Sequence, residues 1–513
     1  MSTLSLATRD DDAAALEEPS SRRALDRIWA SPWVGWISAL GAAAIFGLVS
    51  GVLTPRGPIT SAEALLSMVA AVVVGVAAGF VTGRRWSLLF APLVFAVVFE
   101  ITRLGVDGPT VDGIHLDSFY GWIAFGTGRL FHGVLVLVPM AIGGRYGVAL
   151  SRRLGRPRTV RLSGLGWSIL GLGTLAVLLV GVLLARPAST APILGSDGQP
   201  LAGSIAEFTQ VSLGGHEQTV LIRGRSVDNP VLLYLSGGPG GSDLGAMRQD
   251  VTLEQDFVVV TWEQRGVGKS YSALDPAGTL TVDEMVADTI ELTNYLRGRF
   301  DQNRVYLTGT SWGTTLGVLA AQQHPELYAA MVGTGQMVSQ RETDVMFWED
   351  TLAWAETTGN ESLTQTLRAN GPPPYDDILK YEAGISHEHD FTPYPGLDLS
   401  KEMPAILFVP ENTLMDRVNG FRSFLDTFSV LYPQLQDVDF RVDVPQLEIP
   451  FYMVIGQYEA RGRAVLANEW FDMLDAPVKE RFVFAHSGHR PIFQEPAEFA
   501  GVMRRVLSET GAG

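Results

Sequence analysis

Five apolar stretches precede residue 190, at roughly 33–54, 64–82, 86–102, 121–149 and 164–185. Most approach the ~20 residues that a helix needs to cross the ~30 Å hydrocarbon core of a bilayer. A helix in water rarely runs so far without a charge. The stretches therefore predict an all-α transmembrane domain of about five helices over 31–186, between a tail at 1–30 and a linker at 187–203.

Arginine placement orients these helices, because positive loops stay on the cytoplasmic side. Arg9, Arg22, Arg23 and Arg27 precede the first stretch, and Arg84 and Arg85 separate the second from the third. Arg145, Arg152, Arg153, Arg156, Arg158 and Arg161 lie between the fourth and fifth. The other two loops hold only Arg56 and Arg103, with Asp107, Asp112 and Asp117 alongside. The pattern predicts a multi-pass cell-membrane protein with a cytoplasmic N-terminus and an extracytoplasmic C-terminal half. Residues 1–30 are polar and acidic, unlike a cleavable signal peptide, so the first stretch reads as an uncleaved anchor. Glu100, Arg129 and His132 fall within or beside the stretches. A structural role is expected for them, with Glu100 and Arg129 snorkelling at outer helix ends or pairing with each other.

Charge changes sharply along the chain. Residues 1–189 carry 16 Arg, no Lys and 11 acidic residues, a formal charge of +5, whereas residues 190–513 carry 22 Arg plus Lys and 44 acidic residues, a charge of −22. An acidic soluble half lacks the basic stripe that nucleic acid requires and gains nothing from anionic lipid. The chain has no cysteine, which excludes disulfides, thiolate catalysis and Cys-ligated zinc.

Beyond the linker the pattern becomes one of short apolar runs. Gly214 and Gly215 before Thr219 to Ile222 predict a hairpin. Runs follow at 231–235, 257–261, 305–307, 329–332, 451–455 and 481–484, bounded by Gly, Pro or Asp, with helix-like segments at 282–299 and 312–323. Such alternation predicts an α/β domain over 204–513, whose mainly parallel sheet is covered on both faces and carries its chemistry at the carboxyl ends of strands. From about 336 to 447 the alternation stops. The clustered Pro372 to Pro374 and amphipathic stretches such as 342–358 predict a helical cap inserted over the site.

Gly309-Thr310-Ser311-Trp312-Gly313 joins the run 305–307 to a helix rich in Leu and Ala. A sharp strand-to-helix turn needs small flanking residues and lifts a serine hydroxyl clear of the backbone, while the helix behind it aims amides and dipole at the site. Ser311 is the candidate nucleophile. Ser236-Gly237-Gly238-Pro239-Gly240-Gly241 ends the run 231–235, where glycines leave amides free to approach an oxygen, suiting an oxyanion hole completed by the amide of Trp312. Residues 262–270 end in letters like those of a phosphate loop, but that motif needs Gly at 263, where Glu263 stands.

A serine nucleophile needs a base, and the base needs an orienting acid. His486 and His489 both follow the run 481–484; His489 is preferred, since Gly488 lets the loop swing over the sheet, and His486 remains the alternative. The acid should follow the run 451–455, which places Glu459 four residues into the turn. Asp472 and Asp475 are later alternatives.

Together, Gly237-Gly238-Pro239-Gly240, Gln264-Arg265-Gly266-Val267-Gly268-Lys269-Ser270, Gly309-Thr310-Ser311-Trp312-Gly313 and Ser487-Gly488-His489 resemble the proline iminopeptidase family of α/β-hydrolases over about 204–510. The resemblance implies an α/β-hydrolase fold with Ser311 as nucleophile, His489 as base, Glu459 as acid and the amides of Gly238 and Trp312 as oxyanion hole. It also implies a cap carboxylate that binds the free amine of a peptide, for which Glu342 is the matching residue. Ser236, Glu263 and Glu459 stand where the family carries His, Asp and Asp, departures that bear on substrate specificity. The expected function is a membrane-anchored serine aminopeptidase that releases N-terminal residues from peptides through a Ser-Glu-His triad, without metal or cofactor. One alternative is an esterase or lipid hydrolase on the same triad, acting on a small acyl substrate. Another is a membrane sensor or transport accessory that uses the hydrolase domain as a binding module. The lipid bilayer is an expected partner, nucleic acid is not, and protein partners are left open.

Overall fold

The computed structural model describes Trp29 and residues 31–154, 163–395 and 397–511. Arg9, Arg22, Arg23, Arg27, Arg156, Arg158 and Arg161, on which part of the orientation argument rests, lie outside the described residues. The chain divides into two compact units. The first comprises Met1–Pro55, Leu66–Arg103 and Val134–Leu178; the second comprises Arg56–Leu65, Leu104–Gly133 and Leu179–Gly513.

Each apolar stretch forms a helix: α1 (Pro32–Leu53), α2 (Ser61–Thr82), α3 (Ser87–Thr102), α4 (Phe119–Arg153) and α5 (Gly164–Ala185). Four of them are long and apolar enough to cross a membrane, and α3, at 16 residues, is shorter. Within the first unit the helices meet through small residues. Gly35, Ala39, Ala43 and Gly47 form a buried i,i+4 stripe on α1, and a Cβ on Gly47 would lie 2.7 Å from the Phe95 carbonyl oxygen of α3. The large side chains point the other way, with Trp33, Ile37, Leu66 and Leu165 each at least 70% exposed. Small residues inside and large apolar ones outside is the packing that suits a lipid surround, where helix contact comes from close backbone approach rather than from hydrophobic burial.

The second unit is built on one eight-stranded sheet of order β1-β2-β4-β3-β5-β6-β7-β8. The predicted hairpin is β1 (Ile205–Leu213) and β2 (His216–Gly224), turning at Gly214 and Gly215. β2 also pairs antiparallel with β4 (Val258–Trp262). The remaining strands, β3 (Val231–Leu235), β5 (Val305–Thr310), β6 (Tyr328–Thr334), β7 (Phe451–Gly456) and β8 (Lys479–Phe484), run parallel with β4. Alternate residues supply two cores: Leu233, Val260, Leu307 and Met453 on one face, and Leu232, Val259, Tyr306 and Tyr452 on the other. The central runs read as continuously apolar because both faces are covered. α6 (Val282–Phe300), α7 (Trp312–Gln323) and α10 (Arg461–Met473) pack on the first face through Leu292, Leu316 and Trp470, and α11 (Pro496–Thr510) packs on the second through Phe499 and Met503. Between β6 and β7 the chain is helical, with α8 (Gln340–Thr358) and α9 (Leu414–Leu431) its longest elements.

Candidate active site

Because the strands are parallel, the carboxyl ends of β3, β5, β6, β7 and β8 lie along one edge, and every residue expected to do chemistry except Glu342 leaves from it. Ser311 sits between β5 and α7 with φ +54° and ψ −122°. That conformation, uncommon for a residue with a Cβ, costs about 1–3 kcal/mol and persists only where surroundings impose it. They do so here: a Cβ on Gly309 would sit 2.6 Å from the Gly313 carbonyl carbon, and one on Gly313 would lie 2.6 Å from that of Leu235. The Ser311 amide donates to the Thr334 carbonyl at the end of β6 (3.0 Å).

The glycine turn after β3 lies beside this elbow, since a Cβ on Gly237 would be 3.5 Å from the Ser311 Cβ. The Gly237 amide donates to Asp243 Oδ2 (3.1 Å), which also accepts from the Tyr234 hydroxyl (2.7 Å), while Asp243 forms an ion pair with Arg490. Among the described residues, the amides of Gly238 and Trp312 donate to no acceptor. Gln264 ties the Trp312 side chain to the glycine turn: its Oε1 accepts from the Trp312 indole (3.0 Å) and its Nε2 donates to the Ser236 carbonyl (3.2 Å). The neighbouring cations are occupied. Arg265 forks onto Asp288 (2.8 and 2.7 Å), and Lys269 pairs with Asp416.

His489 and Glu459 meet, with Nδ1 and Oε2 2.9 Å apart. The Glu459 turn is bonded to the histidine loop through the Tyr458 amide and the Ser487 carbonyl (3.0 Å). The His489 ring lies over the end of β6, where a Cβ on Gly335 would come within 2.7 Å of Nδ1 and Cε1. This is the strand end that also holds the Ser311 amide. His486 is exposed, and its amide donates to Glu495 (2.9 Å). Asp472 and Asp475 are likewise exposed, Asp472 facing Arg481, and neither bonds to either histidine among the described residues.

The Glu459 side chain is 1% exposed. Burial pushes its carboxyl up, but the charges of Arg463 and His489 override this and hold it down to about 2. Arg463, four residues on at the start of α10, donates Nε to Glu459 Oε1 (2.8 Å), pairs with Glu388 of the cap and lies 4.7 Å above the Phe347 ring. The imidazole thus faces an acid that stays ionised throughout the neutral range. Arg463, Gln264 and Asp243 have no role assigned from sequence; the i,i+4 spacing of Arg463 from Glu459 is the one signal for it. Glu342 lies outside this network. It is half exposed and ion-paired with Arg441, which also binds Asp439 and Glu469.

Residues 230–496 match the family model described as alpha/beta hydrolase fold, and the chain belongs to that family. Among curated relatives, a probable aminopeptidase of Bacillus subtilis, YbaC, is 29% identical over 321 residues, covering 60% of this chain and 98% of its own. A probable proline iminopeptidase of Leptolyngbya boryana is 28% identical over 123 residues, 24% of this chain and 36% of its own. Among solved structures, the proline iminopeptidase-related protein TTHA1809 of Thermus thermophilus aligns at 20% identity and a TM-score of 0.40, over 60% of this chain and 98% of that one.

Proposed function

We propose that this chain is a membrane-anchored serine hydrolase of aminopeptidase type, with Ser311, His489 and Glu459 as its triad. The observation that carries the reading is the 2.9 Å bond between buried Glu459 and His489, whose ring lies over the end of β6 that also holds the amide of Ser311 in its strained elbow. His489 takes the hydroxyl proton as Ser311 Oγ attacks the acyl carbon of the scissile amide, and Glu459 stabilises the imidazolium. The Gly238 and Trp312 amides receive the oxyanion, a contribution of about 10²–10³ in rate for a single donor. His489 returns the proton to the departing amine. Water, deprotonated by the same base, then releases the acyl group from Ser311 and restores the enzyme.

The name of the Bacillus subtilis relative supports aminopeptidase work. An N-terminal amine needs a carboxylate, and for Glu342 to serve, an incoming ammonium must share it with Arg441. The anchoring reading draws on the outward apolar faces of the helices. Membership of 56–65 and 104–133 in the hydrolase unit supports an odd number of crossings, because both loops and the C-terminal half then face the same side. The arginine bias makes that side extracytoplasmic.

The test compares Pro- and Ala-arylamides, their N-acylated forms and short acyl esters on the purified full-length chain. Turnover of the free-amine arylamides, abolished by N-acylation, is expected. Ester turnover without arylamide turnover would replace the peptidase by an esterase.

A further inference from the structure

Helix α9 carries Asn419, Arg422, Ser423, Asp426 and Thr427, a stripe at helical spacing in which every residue is buried. A polar stripe on a cap helix ordinarily faces water, and buried charges are costly unless fully paired. The partners here fall into two sets, on two sides of the helix.

One set belongs to the active site. Ser423 Oγ donates to the Gly240 carbonyl (2.9 Å), within the turn that carries the Gly238 amide. Thr427 Oγ1 donates to the Gly266 carbonyl (2.6 Å), two residues after Gln264, which holds Trp312 and Ser236. The approach is close: a Cβ on Gly240 would lie 3.0 Å from the Ser423 carbonyl carbon and 3.2 Å from the Thr427 Cβ.

The other set, Tyr271 apart, belongs to segments 56–65 and 104–133, which comprise the connections before α2 and α4 together with the first turns of those helices. Arg422 donates to the Thr127 carbonyl (3.0 and 2.9 Å) and to the Pro58 carbonyl (2.8 Å), and Asn419 donates to the Ile59 carbonyl (2.7 Å). Asp426 accepts from the Thr110 amide (3.0 Å), the Thr110 hydroxyl (2.6 Å) and the Tyr271 hydroxyl (2.6 Å), with Arg56 Nη1 at 3.6 Å. These segments therefore both bury Arg422 and Asp426 and supply carbonyl, amide and hydroxyl partners to them.

We propose that segments 56–65 and 104–133 are working parts of the active site, which seat α9 through the positioning residues Arg422 and Asp426 and so set the oxyanion turn. The inference rests on the serine-hydrolase reading and adds to it a reason for several apolar helices where one would anchor: the chain must deliver two loops to the same helix. An oxyanion donor works only within a few tenths of an ångström of its place, and a misplacement of about 1 Å costs about 10² in rate. A loosened α9 should therefore lower turnover while leaving substrate affinity nearly intact.

The experiment uses the full-length chain in detergent, with Thr110→Val removing the hydroxyl bond to Asp426 at constant volume and Thr110→Ser restoring it. kcat and KM are measured on an arylamide or ester that the wild type turns over, together with the rate of labelling by a fluorophosphonate. Thr110→Val should lose roughly tenfold in kcat and in labelling rate, with KM within about twofold, and Thr110→Ser should recover most of the loss. Asn419→Ala, which drops the bond to Ile59 and the one accepted from Arg422 (3.3 Å), should show the same split and serves if Thr110→Val does not fold. Wild-type kcat in a folded variant, even one of lowered melting temperature, overturns the inference, as does an equal loss in Thr110→Val and Thr110→Ser. Turnover that survives Ser311→Ala overturns the serine-hydrolase reading and this inference with it. Turnover that needs Ser311 but ignores Thr110→Val overturns this inference alone.

Discussion

Arg463→Met removes the cation that stands behind the proposed triad acid while keeping a side chain of similar reach over Phe347. Burial pushes the Glu459 carboxyl up, and Arg463 with His489 reverses that, from an ordinary value of 4.5 to about 2. A carboxyl depressed in the folded state contributes stability above its unfolded value, and the contribution is lost as the pH falls through the folded value. The window is therefore pH ~4.5 down to about 2. At about 1.4 kcal/mol per pH unit the contribution is roughly 3 kcal/mol, the same size as the ~3–5 kcal/mol typical of breaking a buried ion pair by removing one partner. Urea unfolding of the full-length chain in detergent, followed by tryptophan fluorescence, should find Arg463→Met less stable by about 3 kcal/mol near neutral pH. The deficit should narrow as the pH falls toward ~3, where Glu459 in the unfolded chain is already protonated. A deficit of the same size at both pH values would refute the electrostatic account and leave only lost packing.

Other outcomes can be checked by direct assays. Glu459→Gln should keep the fold and lose about 10³–10⁴ in kcat, because an amide cannot stabilise the imidazolium; steady-state kinetics on any accepted substrate reads it. Arg265→Leu leaves Asp288, which is 0% exposed, without its forked partner, and should destabilise by about 3–5 kcal/mol in urea, with part regained in Arg265→Leu/Asp288→Asn. Glu342→Gln should raise KM for free-amine arylamides and leave esters unchanged; an equal effect on both removes Glu342 from amine recognition.

Much of the fold is legible in the sequence because its signals are local. Helix length and apolar content mark α1 to α5 to within a few residues, and β-branched runs between Gly, Pro and Asp mark the parallel strands. Ser311 is legible for the same reason, since its elbow needs Gly309 and Gly313 within two residues. Glu459 and His489 can be named only through the strands they follow, and the structure joins them across 30 positions. Contacts with no local signature stay hidden. Arg422 reaches Pro58 over 364 positions and Asp426 reaches Thr110 over 316, so a buried polar stripe looks in sequence like a solvated face. The inter-helix loops likewise read as connectors, whereas their residues belong to the hydrolase unit. Glu342 shows the opposite limit: its motif position suggests an amine contact, and its charge is engaged by Arg441, 99 residues away.

Whether Ser311 performs the chemistry is decided by a fluorophosphonate probe on the purified full-length chain. Covalent label on the peptide containing Ser311, together with loss of label and of arylamide and ester turnover in folded Ser311→Ala, is the predicted result. A wild-type chain that takes no label, or a Ser311→Ala chain that turns over substrate at the wild-type rate, would contradict it.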